Sequence, residues 1–392
     1  MTMADRWLLP DGIDEVLPPQ ALRMETLRRG LLDLYQRWGY ELVVPPPAEF
    51  LESLLTGVGS DLELQTFKLT DQVSGRMMGL SADATPQVAR MDAHSLKRPG
   101  PSRLCYCVNS LRATADQYQG GRNPVQVGFE LYGHEGLEAD LESVRLALES
   151  LAYAGAQDIH LAFGHIGIYR ILMELAGFDE LTEHQLFEAI ERKSYSEIDA
   201  ILLEQPLDDG LKTALRQLPH LHGGVDVIER ARELDGLPAQ TRDQLEQLAD
   251  LARHVETEYP QVSLYFDLAE LRGYEYHTGV VFAAYVPGYG QALVKGGRYD
   301  YTGRAFGRSR PATGCSLELK MLASLDIEPP RNDAIWAPAV DDARLARKVM
   351  SLRGQGEIVI TELKGQSTGP HDHHCNRQLI NDEGTWRVVA LD

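Results

Sequence analysis

Two carboxylates, an amide and a run of aromatic and basic side chains fall on stretches of this sequence that otherwise read as buried strands. Gln126 and Glu130 lie four residues apart in "PVQVGFELYG", and on a strand that spacing points both to one face. Asp83 ends the stretch "FKLTDQVSGRMMGLSAD". "LRGYEYHTGVVFAAYV" (271–286) sets Arg272, Tyr276 and His277 ahead of an almost wholly apolar half, and Tyr299 follows the paired glycines of "KGGRYD". An edge strand in water would alternate polar and apolar residues, and a packed one would not hold an arginine and a histidine so close together. These groups are expected to face a pocket. Two carboxylates with a glutamine suit a small cationic or zwitterionic ligand, and an arginine suits its carboxylate.

The elements that hold them follow from period and punctuation. Leu27, Leu31, Leu34, Tyr35 and Trp38 recur at helical spacing over 20–38, and Gly39 stops the run. "YELVVPPP" predicts a strand closed by prolines, and 67–83 two short strands about a Ser-Gly turn. "TPQVARMDAH" predicts a helix with Thr85 as its N-cap. "RLCYCVNSLRA" and "PVQVGFELYG" predict further strands, followed by a helix over 137–154, a strand over 158–163 and a helix over 166–176. Over 178–258 helical patterns replace strand patterns, which marks a helical insertion. Strands resume at 262, 280 and 291, and a helix is expected over 315–324. The linker "DIEPPRND" separates residues 1–324 from a short C-terminal segment, 325–392, of one or two strands and a helix. Strands joined by turns, with helices in separate blocks, define an α+β fold with a largely antiparallel sheet.

The 392 residues have room for a large domain and a smaller one. Thirty-eight basic against fifty-eight acidic residues leave a net charge of −20, which argues against a broad RNA-binding surface. The best local exception is "GRAFGRSRP" (303–311). Cys105, Cys107, Cys315 and Cys375 are too scattered for a disulfide framework. No apolar run nears the roughly 18 to 20 residues of a membrane span, and the start lacks a signal-peptide pattern, so a cytoplasmic location is expected. "HDHHC" (371–375) gathers side chains zinc can use, but its spacing weighs against a specific metal site. No cofactor is expected. His165, opening a helix after a strand, is expected to cap that helix rather than reach the pocket.

Over roughly residues 8–324 the chain resembles histidyl-tRNA synthetases, members of the class II synthetases. "LTDQVSGRMMGLSADATPQVAR" is similar to their hairpin, and "LRATADQYQGGRNPVQVGFELYG" to their motif 2 region. "LRGYEYHTGVVF" resembles their histidine-specific stretch "RGLDYYTGTVFE", and "KGGRYD" their "GGGRYD". The last two occurring together are strongly specific. The resemblance implies an antiparallel sheet with flanking helices. It carries Asp83, Gln126, Glu130, Tyr276, His277 and Tyr299 onto positions that hold histidine, with the motif 2 arginine, Arg112, beside them. Arg272 falls on the arginine that touches the substrate carboxylate and drives adenylation. Asp83 stands for a glutamate, and His277 for a tyrosine.

The nucleotide half departs from the pattern. Thr114 replaces a glutamate that meets the adenine amino group or the tRNA acceptor end, and Pro124 a phenylalanine that stacks on adenine. "TGCSLELKML" keeps Glu318, yet Leu319 replaces the arginine that pairs with phosphates. A charged hydrogen bond contributes about 1.5–3 kcal/mol and a stacked ring about 0.5–1.5, so ATP affinity is expected to fall on the order of 30- to 1000-fold. The 68 residues beyond 324 are too few for the anticodon-binding domain, of about 100 residues, that these synthetases usually carry. One branch of the family combines these losses: the regulatory subunits of ATP phosphoribosyltransferase. That resemblance implies a chain without ligase activity that dimerises through its motif 1 region, about 20–48, and pairs with a short catalytic subunit in a hetero-octamer. It further implies activation of the first step of histidine biosynthesis and feedback by L-histidine. The alternative is a divergent histidine-activating ligase charging tRNA or a carrier protein. Arg112 and Arg272 favour it; Thr114, Pro124 and Leu319 oppose it.

Overall fold

The structure, a computed structural model, describes residues 7–56, 60–114, 121–325 apart from 272 and 275, and 333–391. Contacts within the chain define two compact units, Met1–Leu325 and Asp326–Asp392.

In the first unit the strands, in chain order, are β1 (Glu41–Leu42), β2 (Ala48–Phe50), β3 (Lys68–Thr70), β4 (Met77–Leu80), β5 (Ser102–Asn109) and β6 (Val125–Tyr132). Then come β7 (His160–His165), β8 (His222–Gly223), β9 (Ser263–Asp267), β10 (Val280–Tyr285), β11 (Val294–Arg298) and β12 (Ala312–Glu318). Nine of them form one sheet in the order β1-β5-β6-β12-β11-β10-β7-β9-β8, and β2, β4 and β3 form a small second one. Six pairings in the large sheet are antiparallel, while β1–β5 and β7–β9 are parallel. The fold is therefore α+β with a mixed, mainly antiparallel sheet.

The helices Gln20–Arg37, Leu137–Ala154 and Leu319–Ala323 pack on one face of this sheet. Leu31, Tyr35, Phe129, Leu146 and Leu151 are sealed there, each such side chain stabilising the fold by roughly 1.5–3 kcal/mol. The two edge-on rings of Tyr35 and Tyr40 close around Phe129. The opposite face carries the polar residues discussed below.

Several local expectations change. Residues 315–324 do not form one helix: β12 runs through Glu318, and only Leu319–Ala323 is helical. Cys315 and Leu317 alternate with Ser316 and Glu318 as a strand requires, but no glycine or proline separates the end of β12 from the helix, which Glu318 itself caps. The helical stretch after 178 runs through five helices, from Glu180–Glu191 to Arg242–Glu258, and also supplies β8, which pairs with β9 at the sheet edge. In the basic stretch 303–311 Arg304 is exposed, but the other two arginines are engaged within the fold. Arg310 forms a buried ion pair with Asp92 at 3.0 Å, and Arg308 donates to the carbonyl of Arg98 at 2.6 Å.

In the second unit β13 (Ala334–Ala337), β14 (Val359–Thr361), β15 (Cys375–Asp382) and β16 (Thr385–Ala390) form a sheet in the order β14-β13-β15-β16. The helix Ala343–Gly354 buries Leu345 and Val349 against Ile335 and Trp386 of that sheet. Around 371–375, His373 stacks on Trp336 at 5.3 Å and lies 3.0 Å from the Thr368 hydroxyl. Among the described residues no group of three or more His, Cys, Asp or Glu side chains could hold a metal ion. No helix among them is long and apolar enough to cross a membrane.

Candidate functional site

Cross-strand register builds the site. Glu130 of β6 sits opposite Gly314 of β12, which sits opposite Gly297 of β11. Two residues along, Gly128 lies between Tyr106 and Ser316. Glycines beside one carboxylate keep the middle of this face low, so a side chain from elsewhere or a ligand can lie against the backbone. A methyl group on Gly314 would overlap Oε2 of Glu130.

Glu130 is buried and ringed by hydroxyls. The Tyr106 hydroxyl bonds Oε1 at 3.2 Å, and the Tyr299 hydroxyl bonds Oε2. Tyr132 and Tyr299 share a hydroxyl contact at 3.3 Å. The Tyr276 ring stacks on Tyr299 with centroids 4.8 Å apart, and its own hydroxyl is buried without a hydrogen-bond partner. Loss of water raises the Glu130 carboxyl to about 8; the charge on Asp83 adds to the rise, and the tyrosine hydrogen bonds oppose it. At neutral pH this carboxyl is mostly protonated until a cation comes near.

Asp83 and Gln126 form the adjoining wall. The Gln126 amide donates to Asp83 Oδ2 at 3.1 Å, and its carbonyl accepts from Ser110 Oγ at 2.6 Å and the Ala84 amide at 3.1 Å. Asp83 Oδ1 accepts from the Thr85 amide at 2.8 Å. Thr85 is thus the first residue of the helix Thr85–Arg90 and not its N-cap; the carboxylate two residues earlier serves the free amide. Asp83 is shared between a helix start and the Gln126 amide, a duty that its position in the sequence did not disclose.

His277 lies beneath a turn that needs glycine. Gly273 has φ of +75°, and a Cβ there would come within 2.8 Å of the His277 ring. His277 Nδ1 is 3.3 Å from the Arg298 carbonyl, which can only accept, so this nitrogen carries the proton and Nε2 keeps its lone pair. Dehydration holds the ring down at about 4, so it stays neutral. Arg298 is fixed by a buried pair with Asp140 at 3.0 Å, which anchors the strand that His277 reads.

Arg112 is buried at the entrance to motif 2, where its amide bonds the Arg122 carbonyl at 2.7 Å and Arg122 Nε returns a bond to the Arg112 carbonyl at 3.0 Å. Arg272 lies outside the described residues. Asp83, Gln126, Glu130, Tyr276 and Tyr299 thus come together, His277 borders them on the same turn as Tyr276, and Tyr106 and Tyr132 join them. These last two were missed as site residues, although Tyr106 shares one face of β5 with Leu104 and Val108, a period that marks it as facing inward.

The nucleotide side is arranged differently. Leu319 is fully buried in the main core, and Pro124 is buried as well. Glu318 is spent on backbone: Oε1 accepts from the Val125 and Lys320 amides at 3.0 and 3.1 Å, and Oε2 from the Met321 amide at 2.9 Å. Thr114 is exposed. His165 caps the helix Ile166–Ala176: Nδ1 accepts from the Gly167 amide at 3.1 Å, and Nε2 faces Gln247 Oε1 at 3.0 Å.

A mixed sheet with this low glycine face, a buried glutamate among tyrosines and a histidine-bearing turn defines a protein of the histidyl-tRNA synthetase-like class. The family model for histidyl-tRNA synthetase matches residues 12–322, and the model for the C-terminal domain of the ATP phosphoribosyltransferase subunit HisZ matches residues 331–389. The chain is 62% identical over 392 residues, the whole of both proteins, to the ATP phosphoribosyltransferase regulatory subunit of Chromohalobacter salexigens. It is 51% identical to that of Alkalilimnicola ehrlichii, across 97% of this chain and 96% of the relative. A crystal structure of an ATP phosphoribosyltransferase regulatory subunit/histidyl-tRNA synthetase from Bacillus halodurans superposes with a TM-score of 0.79 at 28% identity, covering 93% of this chain and 95% of that one. Histidyl-tRNA synthetase from Nostoc sp. shares the fold, with a TM-score of 0.78 at 18% identity over 98% and 97% of the two chains. The chain belongs to the family of ATP phosphoribosyltransferase regulatory subunits. Its role lies in histidine biosynthesis and is regulatory, not catalytic.

Proposed function

We propose that this chain binds L-histidine at the Glu130 site and passes that occupancy to a catalytic ATP phosphoribosyltransferase subunit. One observation carries the reading. A dehydrated, largely protonated carboxyl sits beside an unpaired Tyr276 hydroxyl on a face made low by glycines. Such a carboxyl gains most from a ligand that brings its own positive charge or N–H donor, as an α-ammonium or imidazole does. Asp83, held by the Gln126 amide, supplies a further acceptor, and His277 Nε2 offers a lone pair where the synthetase pattern has a tyrosine. Arg112 of motif 2 and, by the synthetase resemblance, Arg272 complete the set for the ligand carboxylate.

In this reading the chain dimerises through residues 20–48, joins the short catalytic subunit in a cytoplasmic hetero-octamer, and activates it. Histidine binds two states of that assembly with different affinity, as any effector must, and so transmits feedback inhibition. Neither tRNA nor ATP is a ligand. The burial of Leu319 and the engagement of Glu318 with backbone amides support the loss of nucleotide binding. Calorimetric titration of the isolated chain with L-histidine, and separately with ATP, tests the reading. A histidine isotherm that weakens sharply in Glu130→Ala, with no ATP heat at millimolar concentration, is expected. A tight ATP isotherm, or none for histidine, overturns it.

A further inference from the structure

The turn that offers Tyr276 and His277 to the pocket is gripped by helices that contribute nothing to the pocket itself. Tyr274 packs into those helices. Its ring meets Tyr169 edge-on at 5.2 Å and Phe187 at 5.4 Å, and its hydroxyl donates to Glu183 at 3.0 Å. The Arg170 guanidinium lies 4.4 Å over the same ring. One of its nitrogens, Nη2, donates to the carbonyls of both Tyr274 and His277, the latter at 3.0 Å. Tyr169 and Arg170 belong to the helix Ile166–Ala176, and Glu183 and Phe187 to the helix Glu180–Glu191. The buried Nε of Arg170 has no acceptor, so the guanidinium is placed to serve the two carbonyls at the expense of its own full pairing.

A turn entered through a glycine with positive φ has many conformations open to it, and ordering it at the moment of binding would weaken the ligand. We propose that Arg170, Tyr274 and Glu183 are positioning residues for the histidine site: they hold the Tyr276–His277 turn beside Glu130, so affinity depends on the seat of the helix Glu180–Glu191. By linkage, histidine must then tighten the packing of that helix in return. The inference rests on the histidine reading above and deepens it by tying the site to the helical stretch after 178.

The test titrates the full chain with L-histidine in wild type, Tyr274→Phe, Glu183→Ala and Glu183→Gln, with Tm measured alongside. Hydrogen exchange of residues 180–191 is followed with and without histidine. Tyr274→Phe and Glu183→Ala each weaken binding about three- to tenfold, a part of what a hydrogen bond to a charged group contributes. Glu183→Gln, which retains an acceptor, stays near wild type, and histidine slows exchange in 180–191. Wild-type affinity in all three variants, even where Tm falls, overturns the inference and reduces these residues to a structural role. Absence of binding in wild type overturns the histidine reading itself, and this inference with it.

Discussion

Glu130→Gln probes the centre of the site while preserving its shape. The folded carboxyl stands at about 8 against 4.5 for the free group, and the side chain is fully buried. Since the folded value is the higher one, the stability this group contributes is intact below pH 4.5 and is lost as pH rises toward 8. The penalty relative to acid is roughly 1 kcal/mol at pH 5 and roughly 3 at pH 7, taking 1.36 kcal/mol per unit. Glutamine does not titrate and can still meet the Tyr106 and Tyr299 hydroxyls. The ligand-free variant is therefore expected to gain stability over wild type by roughly 2 kcal/mol more at pH 7 than at pH 5. Urea unfolding at both pH values, compared between the two proteins, cancels every other titrating group. Histidine binding moves the opposite way, falling roughly 10- to 150-fold as a charged hydrogen bond is lost. A stability difference that is the same at pH 5 and pH 7 refutes the claim that burial keeps this carboxyl protonated.

Gly314→Ala pushes a methyl into Glu130 and the Phe129 carbonyl, so histidine binding is lost in calorimetry and Tm falls, whereas Gly100→Ala, in open space, changes neither. His165→Ala removes a helix cap and costs about 0.5–2 kcal/mol or more by urea unfolding at pH 7. Burial lowers His165 from 6.5 to about 4, so wild type should lose stability as pH falls from 6.5 toward 4, and the variant should lose less over that window. Asp92→Ala leaves Arg310 charged and buried with only carbonyls and the Ser102 hydroxyl as partners, and is expected to cost roughly 3–5 kcal/mol in urea unfolding. Exhaustive chelation is expected to leave the Tm of the full chain unchanged, because among the described residues no three His, Cys, Asp or Glu side chains, those of 371–375 included, come together as ligands.

Much of the site was legible because strands have a period of two. Gln126 and Glu130 had to share a face once 125–132 was taken as a strand, and the glycines of "KGGR" marked a close backbone approach. Helices at 20–37 and 137–154 followed from apolar spacing alone. Charge balance, motif spacing and the substitution at Leu319 likewise belong to the chain as written.

Other properties depend on groups far apart in sequence and arise only when the sheet closes. The Glu130 carboxyl rises because β5, β11 and β12 bring tyrosines and glycines around it and exclude water, a dehydration no local pattern records. The end of β12 looked helical because it runs into the helix Leu319–Ala323 with no glycine or proline between them, and Glu318 closes the one while capping the other. Arg310 looked like surface charge until Asp92, 218 residues away, paired with it. Tyr274 stands two residues from Tyr276 yet packs with Tyr169 and Phe187. Local sequence sets what a residue can do; which neighbours remove its water and meet its charge is settled by packing.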